Sequence, residues 1–164
     1  MIVLGIDPGT ATTGYGFIRE REDGSLAMIA FGVITTAADS PMPERLLELH
    51  KQLTQLILLH RPDSGAVEKL FFQRNVRTAL SVGQARGVAL LALAEHGLQT
   101  AEYTPLEVKQ AVAGYGGADK SQVGLMVKAL LELSEVPQPD DAADALAVAI
   151  CHIHSAKYQS LQTL

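Results

Sequence analysis

An α/β fold with a mixed five-stranded sheet and helices on its faces is what this sequence predicts, and three features predict it. Three strand-like segments follow one another through short turns at the start of the chain. Two later apolar segments are each set off by a stretch of helical periodicity. Hydrophobic residues make up 48% of the chain and aromatic ones only 5%, which calls for aliphatic packing between helices and a sheet. Strands joined by tight turns are antiparallel, and strands separated by a helix cross over and run parallel. The order therefore predicts antiparallel pairing first and parallel crossovers after it.

The first strand is Ile2–Asp7, an apolar run that ends in a carboxylate and is followed at once by Pro8 and Gly9. Small residues then turn the chain into a second strand over 14–20. The Asp23-Gly24 pair marks a hairpin tip, and Leu26–Thr35 is the third strand. The loop ADSPMP introduces a helix over 44–60, with Leu46, Leu49, Leu53 and Leu56 on one face and Pro62 as its stop. Residues 65–70 form a short fourth strand that contains Glu68. A long helix over 76–96 is apolar almost all round in its second half, which predicts burial, and Gly97 closes it. A fifth strand covers 98–103, Thr104 and Pro105 start a short helix to residue 112, and GYGGADKS is a loop. Two helices, over 121–133 and from 141 to about 154, flank the breaker PQP. With no repeat, low-complexity tract or linker, residues 1–164 read as a single domain.

At 164 residues the chain is long enough to bury a substantial core. Its one cysteine, Cys151, excludes an internal disulfide and suits a reducing compartment. The first residues enter a strand without a basic region or a cleavable apolar stretch, and the apolar run at 88–94 is too short to span a bilayer. These features predict a cytoplasmic protein with no membrane partner. The formal net charge of −5 argues against nucleic acid only if charges are evenly spread. They are not: residues 69–94 hold Lys69, Arg74, Arg77 and Arg86 and no acid. A basic segment in an acidic chain fits local contact with a polyanion, although a solvated cationic helix face reads the same way.

The opening stretch IDPGTATTGYG allows two chemistries. A small-residue turn after a strand can cradle a nucleotide phosphate, or Asp7 can hold a metal from the strand end. Three more acids decide between them. Glu68 lies in the apolar strand GAVEKL, and Asp141 and Asp144 share one face of a helix start in PDDAADALA. Acids are seldom buried unless paired or liganded. Each has an ordinary alternative: Asp7 as a turn residue, Glu68 at a wet sheet edge, and Asp140 or Asp141 as a helix cap. Taken as a set they would repel one another unless divalent cations neutralise them. Oxygen ligands without a His or Cys pattern favour Mg²⁺ or Mn²⁺, and two such ions together are the machinery of phosphoryl displacement.

Four stretches of the chain, LGIDPGTATTGYG, AVEKLFFQRNVRTALSVGQARGVAL, VKQAVAGYGGADKSQV and DAADALAVAICHIH, resemble the RuvC family of Holliday-junction resolvases, in the family's order and over nearly the whole chain. The resemblance implies a ribonuclease-H-like fold and a homodimer. It also implies metal-dependent hydrolysis of two opposed strands of a four-way DNA junction, leaving 5′-phosphate and 3′-hydroxyl ends. Carried over by position, it makes Asp7, Glu68, Asp141 and Asp144 the acidic ligands, with Asp140 as the cap. Some members carry His at the position matching Asp141. Phe71, with Phe72 beside it, matches the aromatic wedged into the junction centre. Lys109 and Lys120 match DNA-facing bases, and Arg74 and Arg77 join them as phosphate contacts. The expected cofactor is Mg²⁺ or Mn²⁺, two ions per site; a working mechanism has Asp7 bridging them, Glu68 on one and Asp144, with Asp141, on the other. The implied partner beyond DNA is the RuvA–RuvB branch-migration complex.

Other residues read more plainly. Gly83 and Gly87 on the long helix allow a close backbone approach, and a packing pair is the simpler reading. His152 and His154 alternate on a helix and point apart, so they are not expected to be ligands, and Cys151 reads as a small core residue. A nucleotide-binding domain of the actin and sugar-kinase type is the main rival, but it needs a second similar domain that 164 residues cannot hold. A junction-binding module without catalysis would not need four acids. Small nucleases that process ribosomal RNA precursors are nearer, and the GQARG and KSQV motifs favour the resolvase.

Overall fold

The structure, a computed structural model, describes residues 1–69 and 75–162. Strands β1 (Ile2–Asp7), β2 (Thr12–Glu20), β3 (Leu26–Thr35), β4 (Ser64–Glu68) and β5 (Gln99–Tyr103) form one sheet in the order β3-β2-β1-β4-β5. β1 pairs antiparallel with β2, and β2 with β3, while β1 with β4 and β4 with β5 are parallel. The predicted mixed sheet is present, with β1 at its centre. Two parallel neighbours end side by side, so Asp7 and Glu68 meet at the carboxyl edge of the sheet.

Helices α1 (Met42–His60) and α2 (Val76–Glu95) cover one face, and α3 (Pro105–Ala113), α4 (Lys120–Leu130) and α5 (Asp140–Gln162) the other. Strand alternation divides the core between them. Leu4, Ile6, Phe17 and Val67 pack with Leu49, Leu53, Ala89 and Leu93 on the first face. Val3, Ile18 and Ala66 pack with Val108, Val127, Leu146 and Ile150 on the second. Asp7 follows Val3 and Gly5 in parity, and Glu68 follows Ala66, so both acids face the α5 side.

Caps account for most helix bounds. Thr104 with Glu107, and Asp119 with Gln122, form capping boxes at α3 and α4. The Asp119 cap starts α4 at Lys120, one residue before the predicted 121. Asn75 Oδ1 accepts from the Arg77 amide at the start of α2. α5 runs beyond the expected 154 because nothing in SAKYQSLQ breaks a helix.

Four expectations are corrected. β2 begins at Thr12 rather than 14, so Thr12 and Thr13 are strand residues and not part of the turn. β4 ends at Glu68, which places that acid at the strand terminus instead of inside it; residue 70 of the predicted strand lies outside the described residues. α2 is not buried all round. Its inner stripe is Ala85, Ala89, Ala92 and Leu93, whereas Leu80 and Leu91 are 66% and 52% exposed. Gly87 faces nothing within 4 Å, so it is not a packing contact of this subunit.

Among the described residues no helix is long and apolar enough to cross a membrane.

Candidate active site

Asp7 is the register partner of Gly14 across β1 and β2, and one residue beyond the paired Ile6 and Val67 it lies beside Glu68. α5 brings the other two acids over the same spot. It can do so because the sheet beneath it is stripped of side chains at Gly5, Gly14 and Gly16. A Cβ on Gly5 would overlap the Ala145 carbonyl, one on Gly14 the Asp141 carbonyl, and one on Gly16 would lie 2.7 Å from the Leu146 side chain. The helix backbone therefore rests directly on the strands. One carboxylate oxygen each from Asp7, Asp141 and Asp144 lie within 4.8 Å of one another. Asp141 joins the group, whereas Asp140 is an exposed residue of the first turn of α5 and not the expected cap, because the helix already begins at Asp140.

Crowded acids in a partly dry place cannot all ionise cheaply. Burial, together with the neighbouring Glu68, Asp144 and Asp141 charges, pushes the Asp7 carboxyl up to about 9. Burial also raises Glu68, although the hydrogen bond from Asp7 pulls it back. Asp144 is raised by burial against the opposing effect of Lys120. Hard oxygen donors that refuse to ionise together are the donor set of a divalent cation. A cleft of about 400 Å³ opens onto them, with Lys109 and Lys120 on its wall and Val108, Val123 and Ala147 on its floor.

The other predicted residues are placed as follows. Lys120 Nζ is 3.2 Å from Asp144 Oδ2, and that carboxylate raises the Lys120 ammonium. Its first partner is an acid of the site, and its exposed chain leaves it able to turn outward. Arg77 is exposed in the first turn of α2. Arg86, part of the basic segment, is not available to a polyanion: its Nε donates to Glu102 Oε1 at 2.6 Å. Phe71, Phe72 and Arg74 lie outside the described residues.

Three features escaped the sequence reading. The glycine seat for α5 is one; its signal is the pairing of Gly5, Gly14 and Gly16 with the small face of DAADALAVA. The second is a hydroxyl web behind Asp7. Thr13 Oγ1 donates to the Gly9 carbonyl at 2.6 Å, and Thr10 Oγ1 donates to the Ser81 carbonyl on α2 at 2.6 Å. The third is His152, which burial holds below the usual imidazole range. Its Nε2 and Nδ1 hydrogen-bond Ser64 Oγ and Tyr103 OH, at 3.1 and 2.9 Å. His154 instead pairs Nδ1 with the Ala111 carbonyl, and buried Cys151 places its thiol on the Glu107 carbonyl at 3.7 Å. Neither histidine joins the acids, as expected.

A mixed sheet carrying a cluster of acids at the carboxyl edge of its central strands defines a ribonuclease-H-like, carboxylate-based nuclease. The model of the family described as crossover junction endodeoxyribonuclease RuvC matches residues 3–152. A RuvC of that description from Chloroflexus aurantiacus is 60% identical over 156 residues, covering 95% of this chain and 94% of the relative. The structure of Thermus thermophilus RuvC superposes with a TM-score of 0.91 at 38% identity, covering 97% of each chain. The same protein in complex with Holliday junction substrate gives 0.92 at 38% identity, over 97% of this chain and 96% of that one. The chain belongs to the RuvC family of crossover junction endodeoxyribonucleases.

Proposed function

We propose that this protein resolves four-way DNA junctions through Asp7, Glu68, Asp141 and Asp144, which hold two divalent ions, Mg²⁺ or Mn²⁺. The observation that carries the reading is the convergence of the Asp7, Asp141 and Asp144 carboxylates within 4.8 Å of one another at a half-buried site. Cations bound there supply charge stabilisation at the phosphodiester and a more acidic water. The chain's own residues do the rest. Asp7 sits at the end of the central strand, paired on both sides, and gives the acids a fixed origin. Lys109 and Lys120 hold phosphates at the cleft, and Lys120 leaves Asp144 to do so. Arg77 extends the phosphate track along α2, with Arg74, and Phe71 and Phe72 enter the junction centre on the strength of the family resemblance. The RuvA–RuvB complex as partner rests on the same resemblance, and a cytoplasmic location on the single cysteine of the chain.

Two opposed cuts need two sites related by a two-fold axis, hence a homodimer. The surface of this subunit best suited to a second copy is the outer face of α2. There Val76, Leu80 and Leu91 are 85%, 66% and 52% exposed at helical spacing, and Gly87 permits close approach. Leu91→Glu is expected to raise the dimer dissociation constant at least about 10-fold, the factor that corresponds to roughly 1.4 kcal/mol of lost contact. Sedimentation velocity across protein concentration measures it; an unchanged constant moves the interface elsewhere.

The test of the whole reading uses a synthetic four-way junction and a duplex of matched sequence. With Mg²⁺ or Mn²⁺, paired symmetric nicks are expected on the junction alone, and EDTA should abolish them. Equal cutting of the duplex, or cutting that survives the chelator, would sink it.

A further inference from the structure

Between the otherwise apolar layers of α5 and the sheet lies a hydrogen-bonded row, Ser64–His152–Tyr103. Its members come from β4, α5 and β5, and Ser64 is buried. Buried polar groups are costly unless paired, so a fully paired trio in this layer calls for a reason. A neutral imidazole donates from one nitrogen and accepts at the other, and a hydroxyl can meet either demand, so both bonds are made whichever tautomer is present.

The spacing supplies the reason. Ser64 and Glu68 are four residues apart on one face of β4, about 13 Å at the rise of a strand. Asp144 and His152 are eight residues apart on α5, about 12 Å at the rise of a helix. The two elements run in opposite directions here, since the N-terminal end of α5 meets the C-terminal end of β4. The bonded pair and the acids are therefore the two ends of nearly equal spans. Apolar packing of Leu146 and Ile150 resists separation of helix and sheet but is non-directional along the axis. A hydrogen bond tolerates only a few tenths of an ångström. Tyr103 adds the third element, because it is the register partner of Glu68 itself.

We infer that His152 is a positioning residue: held by Ser64 and Tyr103, it sets the register of α5 on β4 and thereby the spacing of Asp141 and Asp144 from Asp7 and Glu68. This rests on the reading of those acids as metal ligands. The row touches no substrate; it acts through the placement of the carboxylates.

The decisive variants are Ser64→Ala, Tyr103→Phe and the two together, which remove hydroxyls and keep His152 and the packing volume. Ser64→Thr, which keeps the hydroxyl, is the rescue. The readout, on the full chain without DNA, is the Mn²⁺ concentration that gives half of the Mn²⁺-induced rise in Tm, with junction cleavage followed in parallel. The double variant is expected to need at least about 10-fold more Mn²⁺ in both assays, the scale of effects seen when groups supporting metal ligands are removed. Junction binding in EDTA should be unchanged, and Ser64→Thr should track the parent. A double variant with a lower Tm but an unmoved Mn²⁺ midpoint overturns the inference and leaves the metal reading standing. A parent protein whose Tm does not respond to Mn²⁺ overturns both. Should the double variant fail to fold, each single variant is expected to show part of the midpoint shift, and its absence in both is equally fatal.

Discussion

Asp7→Asn is expected to lower junction cleavage by at least about 10²- to 10³-fold, the scale lost when a preorganised charge-stabilising group is removed from an active site. Asp7 is the residue with the most to lose. It stands on the central strand, is flanked by Glu68 on one side and by Asp141 and Asp144 above, and cannot be replaced by movement of a loop. Asparagine keeps the shape and one oxygen but not the charge that a cation requires. Binding of the junction in EDTA should persist or strengthen, because an anion facing phosphates has gone. Gel-shift and cleavage assays on the same preparation separate the two effects, and a variant that still cuts at the parental rate would remove Asp7 from the chemistry.

The same substitution should stabilise the metal-free protein at alkaline pH. The Asp7 carboxyl, ordinarily near 3.8, titrates at about 9 in the folded chain. Between roughly pH 4 and 9 the unfolded chain has released a proton that the folded chain still holds, so stability falls as pH rises through this window. Glu68 and Asp144 are raised as well and add to the slope with the same sign. Without metal, Tm should be higher at pH 5 than at pH 8. Asp7→Asn should flatten the profile and raise Tm at pH 8 in EDTA. A parent protein with no fall in Tm over that range would contradict the raised Asp7 carboxyl.

Much of the site was legible because acids in apolar strands are conspicuous. Asp7 and Glu68 break hydrophobic runs, and the three-residue spacing of Asp141 and Asp144 puts them on one helical face. β1 and β3 were bounded correctly because a proline turn and a hairpin frame them. What failed to show is what depends on a partner far along the chain. A strand glycine carries no local mark of its use, so nothing in the sequence around β2 reveals that Gly14 and Gly16 admit α5. Arg86 reads as a free cation until Glu102 on β5 is placed beside it. The alternation of His152 and His154 excluded them as ligands of the acids, yet nothing local reveals that Ser64, far upstream, receives one of them. Apolar content predicted a buried α2, but an outward Leu80 or Leu91 looks the same in sequence as an inward one.

The second large effect is expected from the smallest change, Gly14→Ala. Gly14 pairs with Asp7 across the strands, and its missing Cβ is filled by the Asp141 carbonyl, with the Ala142 amide nitrogen 3.1 Å away. These are backbone atoms, so no rotamer change relieves the overlap; either α5 lifts at its start or β2 retreats from β1. Both movements separate Asp141 and Asp144 from Asp7. A displacement of about 1 Å at a reacting centre can cost about 10²-fold in rate, and overpacking a tight interface costs about 1–3 kcal/mol. Cleavage should therefore fall at least about 100-fold and Tm by several degrees, with the Mn²⁺ requirement raised. Gly117→Ala is the control, since the added methyl there meets only the Tyr115 ring at 3.6 Å. Parental cleavage by Gly14→Ala would mean that α5 does not rest on the sheet at this point. A rate loss confined to Gly14→Ala, with junction binding kept, would tie this strand glycine of the opening stretch to the seating of the acids.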